Sequence, residues 1–202
     1  ARQGAEADWA EKVVVADYNV ERAKKVAEEI CGGGKFVPEQ INAMDADNIK
    51  AVIAKHDIDF AMNACDPRMN ETIFDTCLAA KIGYLDCAMT LGTEHPEKPY
   101  ELTNIKLGDY QFAKQKEWEA SGKIAICGSG VEPGMADVFA KYAAKHLFDK
   151  IDEVNVRDGD NYGNTDSDFG FSVWTTIEEC LQPPVIWEKN EEHPEGHWFC
   201  TE

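Results

Sequence analysis

The sequence is short of cations. Its 20 Lys and Arg stand against 38 Asp and Glu, a net charge of −18 over 202 residues. Binding nucleic acid requires basic side chains that displace phosphate counterions, so this balance argues against a nucleic-acid partner. It argues equally against anionic membrane surfaces. No apolar run approaches the roughly 20 residues that span a bilayer, and no signal peptide is visible. The seven cysteines, at positions 31, 65, 77, 87, 127, 180 and 200, show no Cys-x-x-Cys spacing and no paired histidines. Their number is odd, and several sit in apolar runs where a thiol packs as a small hydrophobe. These features argue against structural zinc and suit a reduced, cytoplasmic protein with no metal. His193 and His197 are four apart, but Pro194 and Gly196 forbid the helix that would place them on one face. No internal repeat is present. No Gly-x-Gly-x-x-Gly turn precedes the first strand either. The opening Ala1-Arg-Gln-Gly reads as a helix end and a loop, and Thr201-Glu202 stops inside a strand-like run. The sequence is therefore expected to continue at both ends.

What is present suits a folded α/β chain. Hydrophobic residues are 44% and aromatics 10%, enough to build a core. Lys12-Val-Val-Val-Ala-Asp17 reads as a buried parallel strand. Asn19 is an N-cap, and Val20, Ala23, Val26, Ala27 and Ile30 follow at helical spacing up to Gly32-Gly-Gly34. Lys35 to Ile41 is a short strand whose Pro38 indicates an edge or irregular pairing. Asp45 or Asp47 caps a helix through Ile49, Val52 and Ile53. Ile58 to Asn63 is the next strand, broken by Asp66-Pro67. Ile73, Phe74, Cys77 and Leu78 share one face of a helix ended by Gly83, and Tyr84-Leu-Asp86 is a strand. Residues 88–107 form a long polar loop, a length that often signals function. A helix over 109–120 ends at Gly122. Lys123 to Cys127 is then a strand running into Gly128-Ser-Gly-Val-Glu-Pro-Gly134, with a helix from Met135 to Phe148. Strands alternating with helices predict a doubly wound parallel sheet. From Ile151 the style changes. Ile151 to Arg157 alternates as a half-solvated strand does, and Asp158 to Gly170 is a polar loop.

Ligands on such a sheet bind beyond the carboxyl ends of the strands. Asp17 ends a strand and can accept hydrogen bonds from both hydroxyls of a cofactor ribose; the plain alternative is a solvated turn residue. An acid there repels a 2′-phosphate, which favours NAD over NADP, although Arg22 is near in sequence. Asp45 closes the next strand–helix turn and is grouped with the cofactor residues. So are Asn63, Ala64 and Cys65, at the exit where a nicotinamide ribose would lie. Asp66 and Arg68 follow as substrate contacts, or as a pair serving only each other. Glu132 and Asp158 are candidate catalytic carboxylates for binding an amine or relaying a proton; each could instead be a loop carboxylate in water. Cys65, Cys87 and Cys127 have no histidine placed to activate them and are read as packing residues.

Several of these segments carry a resemblance. Val14-Val15-Ala16-Asp17, Ala23-Lys-Lys-Val26-Ala27, Asp59-Phe-Ala-Met-Asn63, Thr76-Cys-Leu-Ala-Ala80, Gly83-Tyr-Leu-Asp86 and above all Gly128-Ser-Gly-Val-Glu-Pro-Gly134 resemble the saccharopine dehydrogenase family. The likeness runs from Val13 to Gly163, and its later part is most similar to the carboxynorspermidine branch. It implies a Rossmann-type domain over residues 1–135, with its first strand and glycine loop missing, and the beginning of an α+β substrate and dimerisation domain over 136–202. It implies an NAD(P)-dependent enzyme, active as a homodimer, that transfers hydride at a C–N bond of an amino acid or polyamine conjugate. Carried over by motif, Glu132 matches the carboxylate of the family's Asp-Pro-Gly element, and Gly130, Pro133 and Gly134 line the cofactor. Asp158 matches a strand-end Cys or Asp, with Gly159 beside it at the substrate. Asp86 matches an acid after the fifth strand and is expected at the substrate. A homospermidine-synthase-like transferase and a non-catalytic ligand sensor are the alternatives.

Overall fold

Parallel strands cannot be joined by a tight turn; each pair needs a crossover. The chain supplies one after each of its first strands. The computed structural model describes residues 8–30, 34–157 and 173–201. Strand β1 (Val13–Asp17) leads into helix α1 (Val20–Lys25), which widens into a π-helical turn over Val26–Ile30 before β2 (Phe36–Gln40). The two strands pair in parallel, with Val13 opposite Phe36 and Asp17 opposite Gln40. Asn19 caps α1 as its sequence position predicts, accepting from the Glu21 and Arg22 amides. Ala23 and Ala27 are buried at close helix–strand approaches. The valines of β1 are half-buried rather than fully buried. Among the described residues β1 has only β2 as partner, so its second edge is not covered by a strand.

A second sheet runs in the order β3-β4-β5. It is built from β3 (Phe60–Asn63), β4 (Gly83–Asp86) and the short β5 (Ala125–Ile126), with β4 and β5 parallel. Helix α2 (Ala46–His56) precedes β3, and Asp45 caps it by accepting from the Asp47 and Asn48 amides at 3.0 and 3.1 Å. A 3₁₀ turn at Pro67–Met69 leads to α3 (Asn70–Ala80), whose Ile73, Phe74 and Cys77 are buried as their spacing requires. Phe74 meets Tyr84 edge-on, ring centres 5.1 Å apart, and Trp118 at the same distance. This aromatic cluster is the core of the sheet, and edge-to-face contact adds to its area burial.

Three local expectations change. Helix α3 ends at Lys81, which takes the left-handed conformation itself (φ 55°), and Gly83 opens β4 instead. The helix expected over 109–120 is two helices, α4 (Asp109–Ala113) and α5 (Gln115–Ser121), broken at Lys114. Residues 151–157 form no strand among the described residues, because nothing there offers their backbone a ladder. After α6 (Met135–His146) come α7 (Val173–Leu181) and a hairpin of β6 (Val185–Glu188) and β7 (His197–Cys200), with Trp187 opposite Trp198. The strand expected near the end is thus β7.

Tertiary contacts divide the chain into two units. One holds Ala1–Cys65, Met69–Leu85 and Lys114–Ile126; the other holds Asp66–Arg68, Asp86–Ala113 and Cys127–Glu202. The division departs from a linear boundary at residue 135, since the segment from Asp86 to Ala113 groups with the later residues.

Candidate functional site

Asp17 stands at the end of β1, where a parallel strand points its last side chain toward a ligand. Its Oδ1 accepts the Asn19 amide at 2.8 Å, which shapes the turn into α1. Its Oδ2 lies 3.5 Å from the Arg22 guanidinium, one helical turn further on. The carboxylate is 28% exposed and the guanidinium 69% exposed, so both are open to a ligand. A carboxylate, which can accept from ribose hydroxyls, and a guanidinium, which can pair with a phosphate, therefore sit side by side.

Asp45 and Asn63, both expected at the cofactor, are used by the protein. Asp45 Oδ1 is committed to capping α2. Asn63 is 4% exposed. Its amide donates to Asn70 Oδ1 at 2.8 Å and to the Tyr84 hydroxyl at 3.1 Å, while its Oδ1 accepts the Cys65 amide at 3.0 Å. A buried amide must satisfy both ends, and Asn63 does so inside the fold. What it does for a site is indirect: it sets the turn that exposes Ala64 and Cys65. Asn70 and Tyr84 complete this network, and no local pattern in the sequence distinguishes them.

In the second unit Asp66 and Arg68 pair with each other, the plainer of their two readings. Arg68 Nε donates to Asp66 Oδ1 at 2.8 Å, and NH2 donates to Oδ2 at 3.0 Å. The hydrogen bonds from Arg68 hold the Asp66 carboxyl below its usual range, against a smaller opposing effect of burial. An arginine fork matched to a carboxylate in this way presents little unfilled hydrogen-bonding capacity to a substrate.

The Gly128–Gly134 stretch folds on itself. Gly130 donates to the Pro133 carbonyl at 2.9 Å, and its own carbonyl accepts from Met135 at 2.9 Å. Gly134 donates to Asp137 Oδ2 at 3.0 Å, which caps α6. Gly134 has φ +128°, and a Cβ there would meet the carbonyl oxygens of Gly130 and Gly128 at 2.5 and 2.6 Å, so only glycine fits. The amides of Gly130 and Gly134 are engaged within the loop, so any contact they make with a cofactor is close backbone approach rather than a hydrogen bond. The exposed crown of the loop is Val131 and Glu132, followed by Pro133 through a cis peptide bond.

Asp86, expected at the substrate, is 1% exposed and faces the protein. Its Oδ1 accepts the Gly128 amide at 2.6 Å, and its Oδ2 accepts from Gln111 Nε2 at 3.3 Å. Burial raises the Cys127 thiol to about 12, with a further push from the Asp86 charge. Burial alone raises Cys77 to about 12. Neither is a ready nucleophile. Of the three cysteines read as packing residues, Cys87 and Cys127 are half-buried, whereas Cys65 is exposed because it lies in the turn beyond the β3 exit rather than under another element. Asp158 and Gly159 lie outside the described residues. Among the described residues no helix is long and apolar enough to cross a membrane, and no group of three His, Cys, Asp or Glu could hold a metal ion.

Residues 3–126 match the family described as saccharopine dehydrogenase NADP binding domain. The chain is 32% identical over 190 residues to carboxynorspermidine synthase of Vibrio alginolyticus, covering 89% of this chain and 44% of that protein. It is 27% identical over 188 residues to carboxyaminopropylagmatine dehydrogenase of Synechocystis sp., covering 92% and 43%. The chain thus spans less than half the length of these relatives. Among solved structures, saccharopine dehydrogenase (L-Glu forming) of Saccharomyces cerevisiae superposes with a TM-score of 0.51 at 14% identity, over 71% of this chain and 27% of that one, a likeness of fold.

Proposed function

Because the chain belongs to the saccharopine dehydrogenase family, through the domain by which that family binds NADP, we propose that the whole protein is an NAD(P)-dependent oxidoreductase acting on the C–N bond of a carboxylated polyamine or amino-acid conjugate. The observation that carries this reading is similarity over about nine-tenths of the chain to two proteins named for such conjugates. The net charge of −18 suits a polyamine-like, cationic substrate.

In this reading the bound cofactor supplies the hydride acceptor or donor. The chain's residues do the rest. Asp17 accepts the ribose hydroxyls. Ala64 and Cys65 bring backbone close to the nicotinamide ribose. Glu132, exposed at the crown of its loop, takes the proton of the secondary amine as that amine is oxidised to an imine, which water then cleaves. In the opposite direction Glu132 returns the proton. Asp158 is the second carboxylate, with Gly159 at the substrate, and a homodimer is the proposed assembly. Asp17 supports NAD, and Arg22, its partner at 3.5 Å, supports NADP. The pair rather than either residue sets the preference.

The test is a cofactor-linked assay on the full-length protein. Carboxynorspermidine or carboxyaminopropylagmatine should drive absorbance change at 340 nm with NAD or NADP. If calorimetric titration with millimolar NAD and NADP shows no binding to either, the reading is overturned. Binding without net cofactor turnover on any amine would indicate a transferase that shuttles the hydride internally.

A further inference from the structure

We propose that Asp86, buried and turned away from solvent, is the positioning residue that aims Glu132. The inference rests on the role proposed above for Glu132. Asp86 ends β4, and it grips the start of the Gly128–Gly134 loop twice. Its Oδ1 accepts the Gly128 amide at 2.6 Å, a charge-assisted bond, and its main-chain carbonyl accepts the Ser129 amide at 2.8 Å. Its Oδ2 is held by Gln111 Nε2 at 3.3 Å, and Gln111 Oε1 accepts the Thr90 amide at 3.2 Å. Gln111 lies on α4 and is 3% exposed. The carboxylate therefore joins three pieces of chain: the β4 exit, helix α4 and the loop.

The grip reaches Glu132 through close packing. Gly128 has φ +68°, and a Cβ there would meet Met89 Cε at 2.7 Å and Pro133 Cγ at 3.0 Å. Pro133 follows Glu132 directly, and its carbonyl accepts the Gly130 amide at 2.9 Å. Gly128, Gly130 and Pro133 consequently move as one piece, and a shift at Gly128 is passed to the residue at the crown. A buried carboxylate is costly unless its oxygens are satisfied by donors. Here the donors belong to the loop whose place matters, so the cost is converted into a fixed geometry.

The experiment uses the full-length protein with Asp86→Asn, Gln111→Met, Glu132→Gln and the double variant Asp86→Asn/Glu132→Gln. Turnover is divided by the binding stoichiometry of the reduced cofactor that the wild-type protein takes, NADH or NADPH, so that misfolded molecules do not count. Asparagine keeps an acceptor for Gly128 but turns an NH2 toward the Gln111 donor. Misplacement of a reacting group by about 1 Å costs about 100-fold, so Asp86→Asn should lower turnover by about 10- to 100-fold while the dissociation constant of that cofactor moves by less than about threefold. Gln111→Met keeps the length and loses the donor; it should lower turnover by about 3- to 10-fold, and it tests the idea even if Asp86→Asn folds poorly. In the Glu132→Gln background, adding Asp86→Asn should change turnover by less than about twofold, because the residue being aimed is already disabled. Multiplying losses in the double variant, or wild-type turnover in both Asp86→Asn and Gln111→Met, would overturn the inference and leave the proposed function standing. Wild-type turnover in Glu132→Gln would instead remove the role of Glu132, and with it the inference.

Discussion

Replacing Asp17 with alanine should weaken NAD and spare NADP. The carboxylate sits at the β1 exit with Oδ1 on the Asn19 amide at 2.8 Å and Oδ2 at 3.5 Å from Arg22. In the proposed complex it also takes two ribose hydroxyls. Hydrogen bonds to a charged acceptor are worth about 1.5–3 kcal/mol, so the variant should bind NAD about 10- to 150-fold more weakly. NADP has no free 2′-hydroxyl to lose. Removing the carboxylate also releases Arg22 from a long, exposed ion pair worth about 0.5 kcal/mol. NADP affinity should therefore hold or rise slightly, while Arg22→Ala should weaken NADP more than NAD. The Asn19 amide loses its partner, so a stability loss of about 1 kcal/mol is expected and must be checked by urea unfolding. The assay is calorimetric titration of wild-type and variant protein with both cofactors at one fixed salt concentration. Equal weakening of NAD and NADP, or unchanged NAD affinity, would refute the placement of Asp17 at the ribose.

Glu132→Gln should lower turnover with little change in cofactor affinity; steady-state rates alongside titration would show this, and a wild-type rate would count against a proton role. Glu39 accepts Lys55 Nζ and His56 Nε2, each at 2.6 Å, and the Lys55 bond first, then that of His56, lowers its carboxyl from 4.5 to about 2. A depressed carboxyl stabilises the fold above its unfolded value and loses that contribution as pH falls from about 4.5 toward 2. The full shift corresponds to about 3 kcal/mol, but Lys55 is largely exposed and screened, so about 1 kcal/mol is expected. Urea unfolding of Glu39→Gln should show that deficit at pH 7 and none near pH 2. Finally, a thiol reagent at pH 8 should label exposed Cys65 quickly and Cys77 and Cys127 slowly until the protein is unfolded; rapid labelling would contradict the burial of Cys77 or the raised, half-buried thiol of Cys127.

Much of the fold is written in short-range patterns. The valine run of β1, the Asn19 and Asp45 caps, the apolar face of α3 and the turn at Gly122 depend only on residues within a few positions of one another. Each formed where its pattern lies. So did the glycine turn at Gly128–Gly134, which is closed in part by its own backbone bonds and by Asp137 in the first turn of the next helix. The break at Lys114 and the unpaired stretch over 151–157 were not legible, because each depends on what lies alongside rather than on what is written there.

The directions of polar side chains were likewise decided only in three dimensions. Asp17, Asn63 and Asp86 are all polar residues at strand ends, and their local sequences give no reason to separate them. Asp17 faces outward, and among the described residues its carboxylate meets only the neighbouring Asn19 amide and Arg22 of the following helix. Asn63 faces inward because Asn70 and the Tyr84 hydroxyl, on a helix and a neighbouring strand, meet its amide. Asp86 faces inward because Gln111, 25 residues later, and the Gly128 amide, 42 later, converge on its two oxygens. A sequence determines by itself which backbone a segment prefers and where a strand must end. Whether the residue at that end meets a ligand or holds the fold depends on donors from distant segments, and only the tertiary structure brings those into reach.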